Sequence, residues 1–263
     1  MYPKLIEIGP ITINSYPALF VLGAVFILFV ALGLLKKEGF PSQEIVRLFV
    51  ICYLFMLVGG VFLKIIYFSI NSFDMIKNDP LYLLRNFFGL GTMFFGALVG
   101  YLVFILFYVR PKHPKNFLLL ADVSAIGVAL GQVFGRIGCF LTGCCYGRPS
   151  PLPWAMNFKH IGDSIHPYYG TKIHPTQLYE AGLNLINFAL LYWIFKKKGP
   201  SGLSFALYLV NYGVIRFFLE YLRADVKYII EGSSPLLSLT IIQVLCLGLI
   251  LMGAYRLVLL HRK

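Results

Sequence analysis

The stretch GRIGCFLTGCCYGRP, residues 135–149, sets a guanidinium and three thiols close together in otherwise apolar chain. Gln132, Arg136 and Cys139 stand at i, i+4 and i+7 and share one helical face. Tyr212, Arg216 and Glu220 repeat the four-residue spacing further on, and Arg216 and Glu220 can pair as ions. Guanidinium forks match phosphate oxygens two at a time. Two such arginines near one membrane surface would hold an anionic lipid headgroup; the other reading is a polar network that ties helices together. The thiols Cys139, Cys144 and Cys145 read as small packing residues, as a disulfide of Cys139 with Cys144 or Cys145, or as reactive or metal-binding groups beside His160, His166 and His174. The spacing CxxxxCC matches no standard metal signature, so no metal and no cofactor is assigned.

The elements that must position these groups are membrane helices. The chain has 263 residues, 59% of them hydrophobic and only 13% charged, about half the charge of a soluble domain. A spanning helix needs about 20 mostly apolar residues. Candidates run from Ser15 to Leu35, Ile45 to Phe68, Thr92 to Val109, Phe117 to Leu141, Thr176 to Phe195, Leu203 to Leu222 and Leu236 to Leu259. The runs are continuous rather than alternating, which excludes a transmembrane β-barrel. The fold class expected is an all-α integral membrane protein of about seven transmembrane helices, read as one domain over residues 1–263. External loops are expected near residues 71–91 and 143–175.

Basic residues gather on cytoplasmic loops. Lys36, Lys37 and Arg47 follow the first span; Arg110, Lys112 and Lys115 the third; Lys196, Lys197 and Lys198 the fifth; Arg256, Arg262 and Lys263 the seventh. The alternation places the N-terminus outside and the C-terminus in the cytoplasm. It also accounts for the net charge of +12 through topology and anionic membrane lipids, and leaves no concentrated basic surface for nucleic acid. The opening residues lack the pattern of a cleaved signal peptide. Buried charges cost about 2.5–3.5 kcal/mol each at a helix centre, so each needs a partner or a purpose. Lys64 is expected to snorkel to the outer surface, and Asp122, near a cytoplasmic end, to cap or pair locally. Small residues at Gly96 and Gly100, and at Gly127, Gly131 and Gly135, predict close helix contacts.

The sequence resembles the bacterial prolipoprotein diacylglyceryl transferases. The resemblance rests on GRIGCFLTGCCYG, on HPTQLYE (His174 to Glu180) and on YGVIRFFLE (Tyr212 to Glu220), with Asp122 and Tyr16 in support. It implies transfer of the diacylglyceryl group of phosphatidylglycerol to the lipobox cysteine of prolipoproteins, forming a thioether and releasing glycerol phosphate. The implied partners are phosphatidylglycerol, the prolipoprotein signal peptide and membrane lipids. The implied location is the bacterial cytoplasmic (inner) membrane, with the site toward the outer leaflet. Carried onto this chain, the catalytic set is Arg136, Arg216, Glu220, Tyr212 and His174; the lipid-binding set is Arg136, Arg216, Tyr16, Cys139, Gly147 and Gln177. The family signature has asparagine at Cys139 and glutamate at Cys144, and the family's proposed histidine base falls on Phe95. His174 is the first candidate to replace it. The alternatives are a divergent paralogue with another acceptor, and a non-catalytic phosphatidylglycerol-binding or transport protein.

Overall fold

A computed structural model describes residues 4–8, 11–71, 91–161, 164–225, 228–230 and 239–262. A hairpin of β1 (Lys4–Ile8) and β2 (Ile11–Asn14) leads into α1 (Ser15–Leu35). There follow α2 (Ser42–Asn71), α3 (Gly91–Val103), α4 (Phe117–Thr142), α5 (Thr176–Lys196), α6 (Leu203–Leu222) and α7 (Ile241–His261). Six of these helices are long and apolar enough to cross a membrane. On the third expected span, α3 runs into a π-helical segment, Phe104–Val109. Large apolar side chains face outward along the helices, among them Ile186, Phe218 and Leu251, as lipid contact requires. The expected loop at residues 71–91 lies almost entirely outside the described residues, as does the Phe95 side chain.

The chain forms two compact units, residues 34–117 and residues 1–33 with 118–263. In the first, α2 and α3 pack backbone to backbone. A Cβ on Gly96 or Gly100 would run into the backbone of Gly59, Gly60, Phe55 or Met56, which is what the small-residue spacing predicts. Lys64 is a correction to the expected snorkelling: it is only 1% exposed.

In the second unit, α4 is the enclosed helix. Just over half of its apolar window is buried (56%), against 17% for both α1 and α7. The α1 helix lies along α4, with Phe26 stacked on Phe134 at 5.2 Å and Ile27 over Gly127 and Gly131. Asp122 sits near the start of α4 and accepts backbone N–H bonds from Gly202 (2.6 Å) and Phe205 (2.7 Å). It therefore satisfies donors at the N-terminus of α6 and complements that helix's dipole.

The last helix starts at Ile241, not Leu236 as expected. Thr240 is its N-cap: its hydroxyl accepts the Gln243 N–H at 3.2 Å, and Gln243 Oε1 accepts the Thr240 N–H at 3.0 Å. This reciprocal capping fixes the start at a polar pair that hydrophobicity alone does not mark.

Candidate functional site

The C-terminal ends of α4 and α6 and the N-terminal ends of α5 and α7 meet at one end of the second unit. The loop after α4 connects them. Its short strands β3 (Met156–Asn157) and β4 (Lys172–Ile173) pair antiparallel. Phe158 and Ile173 are fully buried, and His166 is edge-on to Tyr146 at 4.3 Å. Gly147 donates to the His174 carbonyl at 3.1 Å and bridges to Arg223 beyond the end of α6. A Cβ on Gly147 would lie 2.6 Å from the His174 Cβ, so the close approach demands glycine. This is the structural work of a position expected to be lipid-binding.

Arg136 projects from the last two turns of α4. Its Nη2 lies 2.9 Å from Glu180 Oε1 on the first turns of α5. Arg216 Nη1 lies 2.7 Å from Glu220 Oε2 one turn along α6. Both carboxylates are buried. Neither contact is aligned as a hydrogen bond, so both are charge pairs by distance, and each guanidinium has five N–H donors to place. Glu220 also accepts the Thr240 hydroxyl at 3.1 Å, which ties the α7 cap to the Arg216 pair. Tyr212, half-buried on α6, lies in the combined field of Glu180, Arg136 and Arg216. Tyr16, at the start of α1, covers Gly138 and feels the charge of Arg136.

A cleft of about 300 Å³ opens beside the second pair, lined by Arg216, Glu220, Arg223, Asp225, Thr240 and Ile241. Arg223 is held by a two-point contact to Asp225, at 2.9 and 2.7 Å. The N-terminus of α7, 21 residues long, faces this cleft through Thr240 and Ile241. Helix N-termini present N–H groups and partial positive charge, so anions are favoured there. The cleft thus sets two guanidiniums and two carboxylates beside a helix N-terminus.

The three thiols also converge. Helix α4 ends at Thr142, Gly143 turns with φ +80°, and Cys145 takes φ +61°, rare for a residue with a Cβ. The chain folds back, and the sulfurs of Cys139, Cys144 and Cys145 all lie within 4.8 Å of one another. The cysteines are free, so the expected alternative of a disulfide is not formed. Helix α5 clamps the turn: Gln177 Nε2 donates to the Cys144 carbonyl at 2.7 Å and Thr176 Oγ1 to the Cys145 carbonyl at 2.9 Å. The Cys144 thiol contacts the Thr142 hydroxyl at 3.4 Å and donates to the Cys139 carbonyl at 3.8 Å.

His174, the expected replacement base, points its Nδ1 at the Tyr179 hydroxyl, 3.4 Å away. That hydroxyl also accepts from Trp154 Nε1 at 2.8 Å. Burial lowers the affinity of the His174 ring for a proton. Among the described contacts, its ring meets this aromatic group rather than either arginine. Glu180, which pairs with Arg136, and Arg223, which lines the cleft, are absent from the expected set. Glu180 was visible as a carboxylate opening a span, but its partner on another helix was not. Arg223 stands just past a helix end, where an arginine is ordinarily a surface charge.

Residues 3–259 match the family described as prolipoprotein diacylglyceryl transferase. Among similar proteins is the phosphatidylglycerol–prolipoprotein diacylglyceryl transferase of Clostridium tetani, 31% identical over 97% of this chain and 96% of the relative. The protein of the same name from Methylococcus capsulatus is 33% identical over 95% of this chain and 92% of its own. That from Vibrio atlanticus is 31% identical over 99% of this chain and 91% of its own. With a family match over residues 3–259 and relatives more than 30% identical across nearly the whole sequence, this chain belongs to the prolipoprotein diacylglyceryl transferase family.

Proposed function

We propose that this protein transfers the diacylglyceryl group of phosphatidylglycerol to the lipobox cysteine thiol of a prolipoprotein. The observation that carries the reading is the pair of arginines, Arg136 and Arg216, each set by a buried glutamate at the same end of the helices. The nucleophile is the thiolate of the acceptor cysteine. It attacks the glyceryl carbon that bears the phosphate ester. The C–O bond breaks, the electron pair leaves with the phosphate oxygen, and a thioether and glycerol phosphate result. Charge grows on the leaving phosphate, so guanidiniums already oriented there lower the barrier. Glu180 and Glu220 orient those guanidiniums and hold their charge inside the protein, Tyr212 feels the charge of both, and Gln177 and Gly147 keep the adjoining turn in place.

The alternation of basic loops supports a chain that enters the bacterial cytoplasmic membrane with its N-terminus outside and its C-terminus inside. The site then opens toward the outer leaflet, where both the lipid and the signal peptide of the acceptor are confined to one plane. That confinement supplies much of the rate by alignment. The test is transfer from headgroup-distinct, acyl-labelled lipids to a lipobox peptide by purified protein in detergent. The reading requires labelled thioether from phosphatidylglycerol. Labelled lipid that stays bound but is never transferred would make the protein a lipid-binding member of the family, and transfer only to a different acceptor would make it a paralogue.

A further inference from the structure

We infer that Cys139, Cys144 and Cys145 form a three-thiolate zinc site whose fourth position takes the acceptor thiol of the transfer reaction. The inference rests on the transferase reading and supplies what that reading lacks, a means of deprotonating the acceptor. The resemblance puts the family's proposed base at Phe95, and a phenyl ring cannot accept a proton. His174 is engaged with Tyr179.

The geometry is that of an open zinc site. All three sulfurs lie within 4.8 Å of one another. Zn–S bonds of about 2.3 Å in a tetrahedron put sulfurs about 3.8 Å apart, so the side chains need close by no more than about 1 Å. The backbone is already bent to allow this. Gly143 and Cys145 both take positive φ, the Cys144 N–H donates to the Cys139 carbonyl at 3.2 Å, and Gln177 and Thr176 hold the next two carbonyls. An α-helix and a plain loop would not bring residues 139, 144 and 145 together; a turn clamped from a second helix does. Strain of this kind at a non-glycine residue is retained where the surroundings enforce it.

The charges also agree. Three thiolates on Zn²⁺ leave one net negative charge, and the acceptor thiolate makes two. Cationic side chains stand on the elements flanking the turn: Arg136 on α4 and Arg223, which Asp225 holds in its orientation. Such outer groups stabilise an anionic metal centre. Soft thiolates select zinc or copper(I) over hard cations, and three protein ligands with one open position mark zinc sites that act on a substrate.

The step balances without a redox partner. The acceptor S–H binds zinc and loses its proton to interfacial water, since a coordinating thiol is deprotonated outright. The zinc-bound sulfur attacks the glyceryl carbon and the S–C bond forms. The C–O bond breaks, and its electron pair leaves as glycerol phosphate, paired with the arginines. The product thioether is neutral and a weak donor, so it leaves the metal and reopens the fourth position.

The test uses the full chain purified in detergent under reducing conditions without chelator. Elemental analysis should find about one zinc per wild-type chain, falling at least about tenfold in Cys139→Ser, Cys144→Ser and Cys145→Ser. Exchange of zinc for cobalt(II) should give thiolate-to-cobalt absorption. That band should shift when a lipobox peptide with its cysteine is added and stay unchanged with the serine peptide. This readout needs no catalysis and no mutant that must fold. Stripping the metal should lower thioether formation at least about a hundredfold, the scale of a lost general base, and zinc should restore it. Full transfer by metal-free wild-type protein would overturn the inference while leaving the transferase reading intact. So would a cobalt band absent or indifferent to the peptide thiol. A peptide-sensitive cobalt band with no transfer from phosphatidylglycerol under any condition would uphold the thiol-binding site and overturn the transferase reading.

Discussion

The two ends of α4 each place a charged side chain inside the protein, and they use it in opposite ways. Near the start, both carboxylate oxygens of Asp122 are taken by backbone N–H groups opening α6. Near the finish, Arg136 meets Glu180 at one nitrogen, in a region that also holds three thiols in no disulfide and a buried Gln177 oxygen without a partner. A buried polar group whose bonds are all spent is holding the fold together. One whose bonds are left over, at an end where four helices meet a cleft, is available to a ligand. The two are roughly 21 Å apart along the same helix at 1.5 Å per residue, so they can be broken separately.

The largest effect expected is at the unfinished end. Arg136→Ala and Arg216→Ala should each lower kcat/KM for thioether formation by about 10²–10³, the cost of removing one donor from a developing anion. Each variant leaves a buried carboxylate unpaired, so thermal midpoints in detergent should fall as well, and rates are compared per folded molecule. Lysine at either position should recover only a small part, because a point charge cannot replace the planar fork.

Asp122→Ala should do the reverse. It strips the α6 N-terminus of its acceptor and should cost about 1–3 kcal/mol of stability, the penalty for unpaired buried donors. Differential scanning calorimetry would show the lowered midpoint. Activity per folded molecule should stay near wild type, and a loss matching that of Arg136→Ala would erase the distinction between the two ends.

Within the loop, Tyr179→Phe removes the oxygen shared by Trp154 and His174 and should cost about 0.5–1.5 kcal/mol, with a small change in rate. A large rate loss would move His174 into the chemistry. The smallest effect concerns pH. Burial lowers the proton affinity of His166, and its Nδ1 accepts the Tyr168 N–H at 3.1 Å, so the folded loop requires the neutral ring. Below the ordinary imidazole value of about 6.5 the unfolded chain binds the extra proton and the folded chain resists it, so stability falls as pH falls. Melting at a series of pH values should show this decline, and His166→Phe should flatten it.

The helices were legible because apolar length is a direct demand of the membrane. The first span, Ser15 to Leu35, agrees with α1 at both ends. The last was misplaced at its start because the Thr240–Gln243 cap, not hydropathy, sets it. Arg216 and Glu220 were legible as a pair because four residues on one helix make neighbours. Arg136 and Glu180 were not, since their meeting depends on how α4 and α5 pack. The thiol cluster was hidden for a related reason. Spacing gives separation along the chain, whereas a glycine turn, a left-handed Cys145 and two side chains from α5 bring the sulfurs together. Lys64 was misread because hydropathy locates a charge in depth but not on a buried face.

The most direct measurement follows acyl-labelled phosphatidylglycerol and a lipobox peptide through one incubation with the wild-type protein and with Arg136→Ala. The wild type should form labelled thioether and release glycerol phosphate in equal amounts, and Arg136→Ala, compared per folded molecule, should form almost none. Folded wild-type protein that yields no thioether, or an Arg136→Ala variant that transfers at the wild-type rate, would contradict the assignment of this end of the helices to diacylglyceryl transfer.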